Sequence, residues 1–181
     1  MILNDLDHLA HDSTVRGIHI IGKAKGAWLW NTMHDLQPQQ VLELGTANGY
    51  SGCILGSTGA HLTTIERDNH LAHEAKGTFA HFNINATVII GDALTEIKRM
   101  TTPHKNFFDV IFIDFAKRSY FQALNACKTM VKHGGRIIAD NITMEGCTDY
   151  RNAVTTDTEL ETTIINIKDG LSCSKRVCAV K

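Results

Sequence analysis

Proline is almost missing from this chain, with two in 181 residues, which excludes Pro-rich linkers. Charge of one sign is missing too. Eighteen Lys and Arg stand against 19 Asp and Glu, a formal net charge of -1, so composition offers no strongly basic face for nucleic acid. No run approaches the roughly 20 consecutive apolar residues that cross a bilayer. The opening MILNDLDHLAHDS has acids and histidines but no basic region ahead of an apolar one, and reads as no secretory leader. The five cysteines (Cys53, Cys127, Cys147, Cys173 and Cys178) are odd in number and lack any C-x-x-C. That argues against a disulfide framework or a zinc knuckle and for reduced thiols packed as small hydrophobes in a cytoplasmic protein. The ten histidines are scattered, with no H-E-x-x-H and no cysteine at ligand spacing. No internal repeat or low-complexity tract occurs.

What is present is ordinary globular material, 43% hydrophobic and 20% charged, enough for one domain with a core. Short apolar, β-branched runs alternate with amphipathic stretches. The runs are Gln39 to Gly45, His61 to Glu66, Ala86 to Asp92, Asp109 to Asp114 and Gly135 to Asp140. Their nearly continuous apolar character suits strands buried on both faces of a parallel sheet. Helical stretches lie between them at Tyr50 to Ser57, Asn69 to Phe82, Leu94 to Met100 and Ser119 to Lys132. This alternation predicts βαβ units in a doubly wound α/β sheet, with the strand C-termini on one edge. Two further strands, Leu160 to Lys168 and Ser172 to Val180, flank an Asp-Gly turn and predict a closing antiparallel hairpin. The segment up to Leu36 reads as helix, with Trp28, Leu29, Met33 and Leu36 roughly on one face.

The sequence VLELGTANGYSG carries the end of the first run into the start of a helix, the context in which a glycine loop is informative. Its glycines are Gly45, Gly49 and Gly52, with Ala47 where a dinucleotide fingerprint has its second glycine, which disfavours a nicotinamide cofactor. Glu43 lies inside the strand, and a buried carboxylate needs a partner; a ligand ammonium would serve. Glu66 ends the second run 21 residues after Gly45, the distance at which an acid grips ribose hydroxyls. A nucleoside with a zwitterionic tail fits these features. Acids also close the third, fourth and fifth runs at Asp92, Asp114 and Asp140, and Asn141 follows directly. Two carboxylates and an amide oxygen are hard donors suited to a divalent ion such as Mg²⁺, and Lys117, three residues after Asp114, is placed to act as a base.

These residues resemble the class I S-adenosylmethionine-dependent methyltransferases, and more narrowly the cation-dependent O-methyltransferases related to catechol and caffeoyl-coenzyme A O-methyltransferases. VLELGTANGYS, the acidic end of TTIER, the GDA at Gly91, FDVIFIDFAKRSY, GGRIIADN and the closing DGLSCSKRV carry the resemblance. It implies a Rossmann-like, mostly parallel seven-stranded sheet ending in an antiparallel hairpin. The resemblance covers roughly Val41 to the C-terminus; with the helical reading of the N-terminal segment it gives one domain over residues 1–181, with 1–36 as a helical cap and 37–181 as the cofactor- and metal-binding core. Glu43 and Gly45 would line the methionine part of S-adenosylmethionine, Ser51 would bond its carboxylate, Tyr50 would pack beside it and Glu66 would hold the ribose. Asp92 and Ala93 would sit at the adenine. Asp114, Asp140 and Asn141 would hold the metal, Asp114 also lying near the cofactor's amino group, and Lys117 would be the base.

The acceptor implied is a small vicinal diol such as a catechol. The alternative acceptor is a hydroxylated tRNA base, for which Lys23, Lys25, Arg118, Arg151, Lys175 and Arg176 are the candidate contacts; a non-catalytic cofactor-binding module is a further alternative. Relatives are often dimers, so a homodimer is the expected assembly. A short segment before the first motif, and a short loop over ITMEGCTDYRNAV after Asn141, predict an open acceptor site.

Overall fold

Alternating strands and helices build the chain as expected. The computed structural model describes residues 2–178, and they fall into two compact units, one ending at Asp92 and the other beginning at Ala93. Seven strands form a sheet in the order β3-β2-β1-β4-β5-β7-β6, assigned below. Among the described residues no helix is long and apolar enough to cross a membrane.

The first unit holds α1 (Ile2–Asp5), α2 (Asp7–Val15), α3 (Gly22–Leu36), β1 (Gln40–Leu44), α4 (Tyr50–Leu55), β2 (His61–Glu66), α5 (Asn69–His81) and β3 (Ala86–Ile90). β1, β2 and β3 are parallel, with Val41 opposite Leu62 and Leu62 opposite Ala86. The cap of α5 comes from the Asp68 carboxylate, which accepts from the N–H of His70 at 2.8 Å and of Leu71 at 3.1 Å, satisfying two N–H groups that the helix leaves unpaired. The N-terminal stretch departs from the single helix that periodicity predicts. Gly17 adopts φ 68° while the Ile18 N–H closes onto the Ser13 carbonyl at 2.8 Å, a left-handed stop. On α3, Leu29 and Met33 are buried as expected, but Trp28 is half-buried and Leu36 exposed. Gly26 and Lys25 complete the buried face instead. A Cβ at Gly26 would meet Ile54 Cδ1 at 3.2 Å, so a larger residue there would crowd α4.

The second unit holds α6 (Ala93–Met100), β4 (Phe108–Ile113), a 3₁₀ turn at Lys117–Ser119, α7 (Tyr120–Met130), β5 (Val131–Asp140), a 3₁₀ turn at Glu145–Cys147, α8 (Thr148–Thr156), β6 (Leu160–Ile165) and β7 (Leu171–Arg176). β4 and β5 are parallel, whereas β7 runs antiparallel to both β5 and β6, giving the predicted hairpin. The hairpin strand expected over Ser172 to Val180 ends at Arg176; Ala179 and Val180 lie outside the described residues. β5 starts four residues earlier than its apolar run, with a register shift against β4 between Phe108 and Val110. Gly134 at φ 82° and Gly135, whose absent Cβ would lie 2.8 Å from the Asp109 carbonyl oxygen, allow that irregularity. The segment after Asn141, expected as a short loop, carries regular structure. It folds into the 3₁₀ turn and α8, which bury Cys147, Tyr150 and Val154.

Candidate functional site

In the first unit the chain leaves β1 through a loop that only small residues tolerate. Gly45 has φ 97°, Ala47 φ 47° and Gly49 φ 94°, so three left-handed residues bring the chain to α4. Ala47 stands in that region without glycine's freedom, and it is held there: its N–H donates to Glu66 Oε2 at 2.9 Å. The other oxygen of Glu66 accepts from the Asp68 N–H at 2.9 Å. Glu66 therefore ties the end of β2 to the glycine loop. Each carboxylate oxygen retains a second acceptor direction, which is the chemistry a ribose diol needs.

Beneath the loop lies a buried polar network. Glu43, at 0% exposure, accepts from Ser51 Oγ at 2.6 Å and from Thr64 Oγ1 at 2.7 Å. Thr64 spends its proton on Glu43, so Thr46 is the donor in the Thr46–Thr64 hydroxyl pair. Sequence reasoning asked for a partner to Glu43 and looked to the ligand; two protein hydroxyls serve. It missed Thr64, although a threonine in register opposite Glu43 is a readable signal once β1 and β2 pair. It also missed Asn48, which is fully buried, donates from Nδ2 to Ser13 Oγ at 2.7 Å, and has an Oδ1 with no hydrogen-bond partner among the described residues. Tyr50 is buried beside this network, its phenol raised by burial and then by the Asp7 charge. Burial, followed by the charge of Glu43, likewise raises the Cys53 thiol. Asp92 is exposed at the head of α6, and Ala93, its first residue, is buried.

In the second unit the predicted acids stand at the strand ends. Asp114 follows β4, and Lys117 at the start of the 3₁₀ turn donates from Nζ to Asp114 Oδ1 at 2.6 Å. The same ammonium lies 5.7 Å from the Tyr120 ring centroid, and the Lys117 carbonyl faces Cys147 Sγ at 3.9 Å. Asp140 closes β5, 2% exposed, with Oδ1 accepting the Asn141 N–H at 2.7 Å. Asn141 adopts φ 57° and donates from Nδ2 to Asp169 Oδ2.

β4 and β5 end in register, Ile113 opposite Ala139, so Asp114 and Asp140 leave adjacent parallel strands at the same edge. Burial first, then the charges of Asp114, Cys147 and Asp140, raises the Tyr120 phenol well above its ordinary value. Burial likewise raises the Cys147 thiol; Lys117 opposes this, and Asp140 and Asp114 add to it. The buried Tyr120 hydroxyl has no hydrogen-bond partner among the described residues. Among those residues no group of three or more His, Cys, Asp or Glu is placed to hold a metal. The set here is two carboxylates and an amide oxygen, all hard donors, and that chemistry fits Mg²⁺ or a similar ion that keeps water or substrate oxygens on its remaining positions.

A sequence profile of the O-methyltransferase family matches residues 1–177. The chain belongs to that family. It is similar to catechol O-methyltransferase B of Danio rerio, 31% identical over an alignment of 139 positions that covers 72% of this chain and 52% of the relative. The chain spans about half the length of the curated relatives it matches. In structure it is similar to an O-methyltransferase from Bacillus cereus in complex with SAH, with a TM-score of 0.86 and 20% identity over 94% of this chain and 90% of the other. A putative caffeoyl-CoA O-methyltransferase from Staphylococcus aureus superposes with a TM-score of 0.84 and 24% identity, over 96% and 91%. Both likenesses establish the Rossmann-like methyltransferase fold.

Proposed function

We propose that this protein transfers a methyl group from S-adenosylmethionine to a hydroxyl of a small vicinal diol, such as a catechol, with a divalent metal ion, Mg²⁺ by its donor set. The observation that carries the reading is the second unit's constellation, in which Asp114 is paired to Lys117 at 2.6 Å and follows β4 in register with Asp140 at the end of β5. When bound, S-adenosylmethionine supplies the electrophilic methyl group and the divalent ion supplies Lewis acidity toward the diol. Asp114, Asp140 and Asn141 hold the ion. Lys117 would take the acceptor proton at Nζ as the neutral amine, after its ammonium has released a proton to solvent. Glu43 and Gly45 line the cofactor's amino-acid end with Tyr50 and Ser51, Glu66 binds the ribose hydroxyls, and Asp92 and Ala93 flank the adenine. Positioning of this kind supplies much of the acceleration in a direct displacement.

The test is methyl transfer from labelled S-adenosylmethionine to a panel of catechols and to bulk tRNA. Asp140→Ala is expected to lose activity while still binding S-adenosylhomocysteine. Lys117→Met is expected to lower kcat by about 10²–10⁴-fold with little change in cofactor affinity. Transfer to tRNA and to no catechol would move the acceptor to RNA. Unchanged activity in Asp140→Ala would remove that residue from the mechanism.

A further inference from the structure

The turn between β6 and β7 reaches back to the candidate metal site. Its Asp-Gly pair reads in sequence as turn chemistry alone, and the backbone fits that role: Lys168 has φ 52° and Gly170 φ 75°. The turn also grips the segment after β5. The Asp169 carbonyl accepts from the Thr143 N–H at 3.1 Å and from Thr143 Oγ1 at 2.8 Å, and the Gly170 carbonyl accepts from the Ile142 N–H at 3.4 Å. All these bonds use main-chain atoms of the turn. The Asp169 side chain is not needed for them, yet it takes a separate partner, the amide nitrogen of Asn141.

We propose that Asp169 is a positioning residue that turns the Asn141 amide so that its oxygen, not its nitrogen, is presented as a ligand; this rests on the metal-dependent reading above. The two ends of an asparagine amide are nearly identical in shape and opposite in chemistry. A carboxylate only accepts, so Asp169 selects Nδ2 and directs Oδ1 the other way. The backbone on either side of that amide is already fixed. The Asn141 N–H bonds to Asp140 Oδ1, the Asn141 carbonyl accepts from the Met144 N–H at 3.0 Å, and Asp140 lies in register opposite Leu171, two residues after Asp169. The orientation of the amide is the remaining freedom, and Asp169 removes it. Partners of this kind behind a metal ligand govern affinity by about 10–100-fold.

The experiment is Mn²⁺ binding to the full chain, followed by electron paramagnetic resonance of the free ion. The variants are Asp169→Asn, Asp169→Ala, Asn141→Ala and the double variant Asp169→Ala/Asn141→Ala. Asp169→Asn keeps the size of the side chain but offers Asn141 either a donor or an acceptor. Both Asp169 variants are expected to weaken Mn²⁺ by about 10–100-fold, with S-adenosylhomocysteine affinity within twofold of the parent. The double variant is expected to bind no more weakly than Asn141→Ala alone, because Asp169 acts through Asn141. Parental Mn²⁺ affinity in Asp169→Asn and Asp169→Ala would overturn the inference, as would losses that add in full in the double variant, or equal losses of Mn²⁺ and S-adenosylhomocysteine. If the parent chain itself binds no Mn²⁺, the metal-dependent reading fails and this inference with it. If the parent binds and the Asp169 variants match it, only the role of Asp169 fails.

Discussion

Replacing Thr64 by valine removes one hydroxyl from the centre of the buried network and changes the side chain's shape very little. Thr64 is fully buried, as is Glu43, and Thr46 is 1% exposed. Two bonds are lost together. The first is the donation to Glu43 Oε2 at 2.7 Å, a hydrogen bond to a charged group that contributes about 1.5–3 kcal/mol; the second, from Thr46, contributes about 0.5–1.5 kcal/mol. Valine is as good a strand former as threonine, so local propensity offsets none of this. The expected destabilisation is about 2–4 kcal/mol. At roughly 2–4 °C per kcal/mol for a chain of this size, Tm should fall by about 5–15 °C. Urea unfolding followed by far-UV circular dichroism measures the first quantity and a thermal scan the second. Thr63→Val, at the half-buried neighbouring position, is the control and should stay within about 0.5 kcal/mol. A Thr64→Val variant as stable as the control would refute the idea that this hydroxyl is the hub holding Glu43.

Two glycines should respond to alanine in opposite directions. Gly77, exposed in α5 with nothing within 4 Å of a new Cβ, should gain about 0.5–1 kcal/mol. Gly135→Ala should lose about 1–3 kcal/mol, since its Cβ would meet the Asp109 and Lys132 carbonyl oxygens at 2.8 and 3.0 Å; equal midpoints for the two variants would contradict this. Acid titration of stability should reveal Asp157. Desolvation works to raise its carboxyl, but the Lys128 ammonium at 2.5 Å and the Glu159 N–H outweigh it and hold the carboxyl below its ordinary value. The pair's contribution is then complete above the usual aspartate pKa, near 3.9, and is lost as pH falls through the lowered native value. Asp157→Asn should flatten the stability profile in that range, and an unchanged acid slope would count against the pairing. Thiol labelling of the native protein near pH 8 should modify the exposed Cys178 first. Cys127 should stay unreactive, because it is buried and burial pushes its thiol up to about 12; early labelling of Cys127 would show the core opening.

Much of this architecture is legible in the residues. The run His61 to Glu66 is β2 to the residue, because its β-branched content and the turn residues around it leave one solution. The break after α2 was harder to read, since Gly17 and Gly22 interrupt a pattern whose periodicity continues across them. α8 is masked in the sequence for a different reason. TDYRNAVTT is polar and rich in threonine, a poor helix former, and the helix owes its stability to burial of Tyr150 and Val154, one turn apart. Of the site, the acids could be found because strand ends collect on one edge of a parallel sheet. The partners of those acids could not be found in the same way. Glu43 meets Thr64 only through the parallel register of β1 and β2. Asn141 meets Asp169, 28 residues away, only because β7 returns antiparallel beside β5. Local pattern specifies the elements, whereas register, set by packing across the whole sheet, specifies which polar groups meet.

Methyl transfer from labelled S-adenosylmethionine to a catechol, measured in Mg²⁺, then in excess chelator, then with Mg²⁺ restored, tests the central claim most directly. The account predicts transfer that stops in chelator and returns with the ion. Transfer that continues undiminished in chelator would contradict it.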